Sequence, residues 1–263
     1  MKLLITIILM LVCNIHMFSQ NFKGIATYKY QIPNETLLIK TATLEFNQNE
    51  TLFSYNRLKG TDEQVGTKMV NNSEKINITI STQDEQGFST YRDYSSKEII
   101  NRSSKIGNLF NAFIYDDKWI EIEWKIIDEY KMIGKYNSQK AIGDYRGRTY
   151  TVWFTEEIPL PYGPWKLFGL PGLIIEAKDA ENMFMAKLTS IKYPCDCNFM
   201  IEKPSAPEKK TVQEYVEFRE NINKMIFEKM RSRLPREKAN SMTYNEKNGE
   251  KRKYWDEKVF EWE

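Results

Sequence analysis

The chain has 263 residues, with 38 Lys and Arg against 36 Asp and Glu, so its formal net charge of +2 gives no global field toward nucleic acid or an anionic surface. Its single histidine, His16, falls in a segment expected to be removed, which excludes Ser-His-Asp, Cys-His and HExxH sites from the mature chain. GxSxG, phosphate-loop and GxGxxG motifs are also missing from the sequence.

Residues 1–19 read as a secretory signal peptide. Lys2 supplies the cationic start, and the run from Leu3 to Cys13 has one polar residue, Thr6. That run is shorter than the about 20 apolar residues a membrane-spanning helix needs, and polar Asn14, His16, Ser19, Gln20 and Asn21 follow it at once. Cleavage is expected after Ser19, with Gln20 as the next candidate for removal, leaving no transmembrane segment. Val12 is bulkier than the residue a lipoprotein peptidase reads, so lipidation of Cys13 is the lesser reading. The product is expected in the periplasm or at the cell surface.

Residues 20–201 read as an antiparallel β domain. Period-two alternation marks strands at 24–32, 38–46, 51–58, 75–80, 87–94, 119–126, 148–155, 173–177 and 183–191, with Asn, Gly, Asp and Lys between them. The clearest is 119–126, where Ile120, Ile122, Trp124 and Ile126 alternate with Glu121, Glu123 and Lys125. Aromatic residues make up 13% of the chain, which suits a wide, curved sheet with a half-barrel-like interior.

Between two of these strands, 158–176 concentrates four of the nine prolines and three glycines, which makes a rigid loop. Pro171 and Gly172 fit the centre of a type II turn with positive φ at Gly172, and Gly169 suits a close backbone approach. Leu173, Ile174 and Ile175 then enter a buried strand.

Residues 202–235 hold a linker and one amphipathic helix. Thr211-Val212-Gln213-Glu214 is a capping box, and Val212, Tyr215, Val216, Ile222, Met225, Ile226 and Met230 recur at helical spacing, predicting a helix over about 212–231 packed on the sheet. Residues 236–263 are rich in charge until Tyr254, Trp255, Val259, Phe260 and Trp262. They read as a solvated loop whose end docks back, with an edge strand as one form it could take.

The segment Gly169-Leu170-Pro171-Gly172-Leu173-Ile174 resembles the name motif of the GLPGLI family. Trp124, Lys140-Ala141, Gly147-Arg148 with Tyr150 and Trp153, Ile158-Pro159 and Gly163-Pro164-Trp165-Lys166 extend the resemblance over about 119–177. Where the family often carries a cysteine two residues before the lysine that stands here as Lys140, this chain has Ser138. The resemblance implies an exported envelope protein of Bacteroidetes-type bacteria with no established activity.

Three groups of residues carry chemistry. Glu156-Glu157 and Asp116-Asp117 offer paired carboxylates for glycosidase-like hydrolysis at a separation of about 5–9 Å, though solvated turn residues are the simpler reading. Cys195 and Cys197, with Met183, Met185 and Met200 near in sequence, suit either a surface disulfide or a Cu(I)-type site; Met183 and Met185 are more simply core residues. Arg146, Arg148, Tyr162, Trp165 and Lys166 form a cationic and aromatic set around the loop, readable as a recognition surface for a carboxylate, a sugar or a protein. The architectural alternative pairs Arg148 and Lys166 with Glu156 or Glu176 and lets Trp165 plug the sheet's end.

The sequence thus predicts a mainly β, exported, non-enzymatic binding or scaffolding protein for an envelope ligand or protein partner. It expects no cofactor and no nucleic acid. A His-free carboxylate hydrolase and a soft-metal binder are the alternatives.

Overall fold

The computed structural model describes residues 22–32, 38–55, 64–70, 75–81, 84–244, 252, 255 and 257–263, with backbone alone for 32, 38, 64–70 and 75–81. The expected signal peptide, with Cys13 and His16, lies outside the described residues.

Fourteen strands and two helices are described: β1 (Gly24–Ile32), β2 (Leu38–Phe46), β3 (Glu50–Tyr55), β4 (Gln64–Val70), β5 (Lys75–Ser81), β6 (Phe88–Asp93), β7 (Glu98–Ser103), β8 (Phe113–Asp117), β9 (Lys125–Ile133), β10 (Tyr136–Tyr145), β11 (Arg148–Thr155), β12 (Leu173–Asp179), β13 (Met185–Lys192), β14 (Glu208–Lys210), α1 (Val212–Arg231) and α2 (Arg236–Asn240). Twelve strands form one unclosed sheet in the order β14-β8-β7-β6-β3-β2-β1-β13-β12-β11-β10-β9, and β4 and β5 pair separately. The large sheet is antiparallel except where β14 runs parallel to β8. The predicted fold, mainly β with one long C-terminal helix on the sheet, is the observed one.

The helix follows its sequence signals closely. The Thr211 hydroxyl accepts from Glu214 N at 3.1 Å, and the Glu214 carboxylate accepts from Thr211 N at 2.7 Å, so two of the donors a helix start leaves open are satisfied reciprocally. Tyr215 and Val216 pack on Phe113 and Tyr115, and Ile226 packs on Leu109.

The main core lies between β1–β3 and β10–β13. Tyr28, Tyr30, Phe46 and Phe53 meet Tyr150, Phe154, Ile174 and Phe184 there, and Leu167 and Leu170 enter from the Pro/Gly loop. Each buried Leu, Ile or Phe contributes about 1.5–3 kcal/mol relative to exposure. β12 lies between β11 and β13, so Leu173, Ile174 and Ile175 are all fully buried, as an uninterrupted apolar run requires.

Two sequence readings need correction. The strand expected at 119–126 is mostly extended chain outside the sheet, and β9 starts only at Lys125. Its alternation holds only in part: Ile120, Ile122 and Trp124 face the core, the Trp124 indole donating to Phe168 O at 2.8 Å, but Ile126, expected on the same face, is exposed. Period two reports which side is buried, not whether a neighbouring strand is present. Around β13 the alternation runs one residue out of the expected phase: Phe184 and Ala186 are buried, while Met185 is 37% exposed.

Candidate functional site

The Pro/Gly loop folds back on itself before it enters β12. Gly169 N donates to Pro161 O at 3.0 Å, Leu173 N to Ile158 O at 3.0 Å and Ile174 N to Tyr162 O at 2.9 Å. The two motif glycines exchange the roles expected of them. Gly169 takes the positive φ, +96°, with Trp124 Nε1 at 3.9 Å the nearest atom to a Cβ there. Gly172 is not among the positive-φ residues; a Cβ on it would stand 2.1 Å from Thr155 O, so close packing against β11 is what demands glycine.

The β10–β11 hairpin turns at Arg146 and Gly147, whose φ values of +43° and +78° are those of a two-residue primed turn. This turn places Arg146 and Arg148 beside the loop. Arg146 donates to Asp117 at 2.7 Å and to Glu261 at 2.8 Å, and also bonds Glu257. Lys166, 1% exposed, bonds Asp117 and meets Glu257 at 2.7 Å. Asn101 adds a hydrogen bond to Asp117 at 3.2 Å. Arg148 pairs with Asp179, reaches Glu181 at 3.1 Å and donates to Trp255 O at 2.7 Å.

The acids come from β8, from the β12 end and from a C-terminal strap, 257–263. The strap docks without forming a strand. Lys258 N and Val259 N both donate to Arg146 O, at 2.9 and 3.2 Å, and Trp255, Glu257 and Phe260 are buried. Burial alone would raise the Asp117 carboxyl, but Lys166 and Arg146 outweigh it and hold the group well below the usual carboxylate range. Burial works to lower the Lys166 ammonium, and Asp117 and Glu257 reverse that, so it is raised. Asp117 and Lys166 are thereby held in their charged forms near neutral pH.

All five cationic and aromatic candidates are therefore interior. Tyr162 is buried, its hydroxyl donating to Asn47 O at 3.0 Å and Gln48 O at 2.8 Å. Trp165, held at a φ of +54°, packs among Tyr145, Tyr150 and Phe184. An open recognition surface does not describe them. The architectural alternative named Glu156 and Glu176 as the partners of Arg148 and Lys166, and these are instead Asp179 and Glu181 for Arg148 and Asp117 and Glu257 for Lys166; Glu176 pairs with Lys131 at 2.9 Å.

The other candidates separate. Asp116 is exposed and pairs with Lys209, whereas Asp117, expected in a solvated turn, is buried. Glu156 and Glu157 stay in an exposed turn. Cys195 and Cys197 are joined as a disulfide with their Cα atoms 5.1 Å apart, so in this form neither sulfur is a thiolate ligand. Met200 is 82% exposed. Among the described residues no group of three or more His, Cys, Asp or Glu is placed to hold a metal ion. No described helix is long and apolar enough to cross a membrane.

Sequence reasoning missed Asp117, Glu257 and Glu261 as partners. A signal existed for the first: Phe113, Tyr115 and Asp117 share one phase of a period-two segment, which turns the carboxylate to the same face as two buried rings.

Residues 145–176 match the family described as "Protein of unknown function (Porph_ging)". That stretch contains Arg146, Arg148, the Pro/Gly loop and the start of β12. No curated protein matches. Two crystal structures of PNGF-II are similar over 74% of this chain, at 17% and 16% identity with TM-scores of 0.47 and 0.48. The chain spans about a third of their length, 32% in each case.

Proposed function

We propose that this chain is an exported, non-enzymatic scaffold or binding protein of the GLPGLI type, in which the name motif is an architectural plug. The observation that carries the reading is the buried junction of Asp117, Glu257 and Glu261 with Arg146 and Lys166. A carboxylate hydrolase needs one acid kept protonated near neutral pH, by burial or by a neighbouring negative charge. Asp117 has the opposite environment, being ion-paired and held low. Export is supported by the signal-like start of the sequence, by a disulfide between Cys195 and Cys197, and by the GLPGLI resemblance. Any envelope ligand or protein partner would then be met by surfaces away from the motif.

Native mass spectrometry of the protein recovered from periplasm tests this. The expected result is a chain lacking about its first 20 residues, carrying a non-covalent ligand or partner. A full-length membrane-bound chain would overturn the export reading. Glycoside hydrolysis by the pure protein, lost in a folded Asp117→Asn variant, would overturn the non-enzymatic one.

A further inference from the structure

Among the described residues Arg92 is the largest side chain that is fully buried, and it is built unlike the other interior arginines. Arg102 has Asp84, Arg146 has Asp117, and Arg148 has Asp179. Arg92 donates once, from Nη2 to Gly163 O at 3.1 Å, while its Nε and Nη1 are buried without a partner. A guanidinium does not shed its proton to escape such a place, so the positive charge persists. The rings of Phe168 and Tyr94, 5.1 and 6.0 Å from the guanidinium carbon, attract a cation but carry no net charge.

Two more orphans adjoin it. Thr51 lies directly across the β3–β6 ladder from Arg92, on the same face, and its Oγ1 is buried with no partner beyond the Tyr94 hydroxyl. Tyr94 lies two residues on, and its buried hydroxyl has no partner beyond the Thr51 hydroxyl beside it. Burial pushes that hydroxyl up, and the Arg92 charge and a hydrogen bond with the Thr51 hydroxyl work against it. Three N–H bonds, one on Nε and two on Nη1, thus adjoin the Thr51–Tyr94 pair, which has one hydroxyl hydrogen left to donate. Donors are in surplus there, and a negatively charged acceptor is the missing part.

We propose that Arg92, Tyr94 and Thr51 form a buried site for a small monovalent inorganic anion of the chloride class, taken up as the chain folds. Enclosure favours an ion without an organic tail. The Nε and Nη1 edge of Arg92 and the hydroxyl hydrogen left over by the Thr51–Tyr94 pair would hold it, and Nη2 stays on Gly163 O. The ion would bind β3, β6 and the Pro/Gly loop into one unit, whatever the protein's function.

The test uses the folded chain in chloride and in gluconate at constant ionic strength, with crystals grown in bromide. In chloride the wild-type Tm should rise by about 3–5 °C per tenfold increase, as expected for a saturating single-site ligand on a chain of this size. Bromide should give an anomalous peak within hydrogen-bond distance of the Arg92 guanidinium. Arg92→Met should lose the chloride dependence. Should that variant fail to fold, Thr51→Val and Tyr94→Phe, which keep the packing, should each weaken the dependence. Identical melting in the two salts, or ordered water in place of a bromide peak, overturns the proposal.

Discussion

The Pro/Gly loop is fixed at its two ends by different physics. Its C-terminal half, from Leu167 to Ile175, is apolar and packs between β11, β13 and the inner rings. Its N-terminal half ends in Lys166, a cation sealed among Asp117, Glu257 and Arg146. The apolar half gains from every atom it buries, and no single contact is indispensable. The charged half gains little in net terms, because desolvation offsets attraction, but it tolerates no missing partner. One loop therefore has a graded anchor and an all-or-none anchor.

The largest expected effect breaks the second anchor. Asp117→Ala leaves Lys166 and Arg146 undercompensated in the interior and should cost about 3–5 kcal/mol in urea denaturation. The double variant Asp117→Leu with Lys166→Met should recover most of that loss, since the Arg146 pairs with Glu257 and Glu261 survive. Equal losses in the single and double variants would show that the junction is not one electrostatic unit. The pH dependence has a fixed sign. The Asp117 carboxyl is lower in the folded chain than the unfolded value of about 3.9, so its contribution is complete above that value and is lost as pH falls below it. The stability gap between the wild type and Asp117→Asn should accordingly be widest at neutral pH and narrow below about pH 4; a constant gap would contradict the ion-paired assignment.

The apolar anchor should yield by degrees. Ile175→Ala removes a fully buried side chain from a strand covered on both faces and should cost about 2–5 kcal/mol, read by chemical denaturation. Gly172→Ala should cost about 1–3 kcal/mol, because a Cβ 2.1 Å from a backbone carbonyl forces β11 and β12 apart. Gly169→Ala has space for its Cβ and meets only the positive φ, so about 1 kcal/mol is expected. The reverse order of the two glycines would return them to the roles a Pro-Gly turn suggests.

The apolar anchor was the legible one. A run such as Leu173-Ile174-Ile175 is local, and its burial can be read without knowing the partner strands; the capping box at Thr211 is local in the same way. The charged anchor was not legible, because Asp117, Glu257 and Glu261 stand far from Lys166 and Arg146 in sequence and nothing periodic links them. Arg146 and Lys166, singled out together, do share Asp117 and Glu257, while Arg148 pairs apart with Asp179 and Glu181; a basic residue beside a tryptophan reads the same whether water or a distant acid answers it. Strands β4, β7, β8, β10 and β14, and all but the start of β9, escaped notice; for two of them the reason is related, since Glu208–Lys210 is polar and β10 carries Ser138, Gln139 and Lys140 at its centre. The roles of Gly169 and Gly172 were exchanged because Pro-Gly spells a turn locally, while the Thr155 carbonyl that occupies the Cβ space of Gly172 belongs to another strand.

The smallest expected effect locates the outer limit of the charged anchor. Glu261 meets Arg146 at 2.8 Å and Glu257 also pairs with Arg146, but the Glu261 side chain is 27% exposed where that of Glu257 is 4%. Water and salt therefore share its work. Glu261→Gln should cost no more than about 1 kcal/mol at low ionic strength, the range of a partly solvated pair, and less at 1 M salt, where the Debye length falls to about 3 Å. Glu257→Gln removes an acid shared by Arg146 and Lys166 in the interior, so its larger cost should change little over the same salt range. Measured together by urea denaturation at the two ionic strengths, the pair separates depth from charge. Equal, salt-sensitive losses would mean that the strap admits water as far as Lys166, and the all-or-none anchor would then be a surface feature.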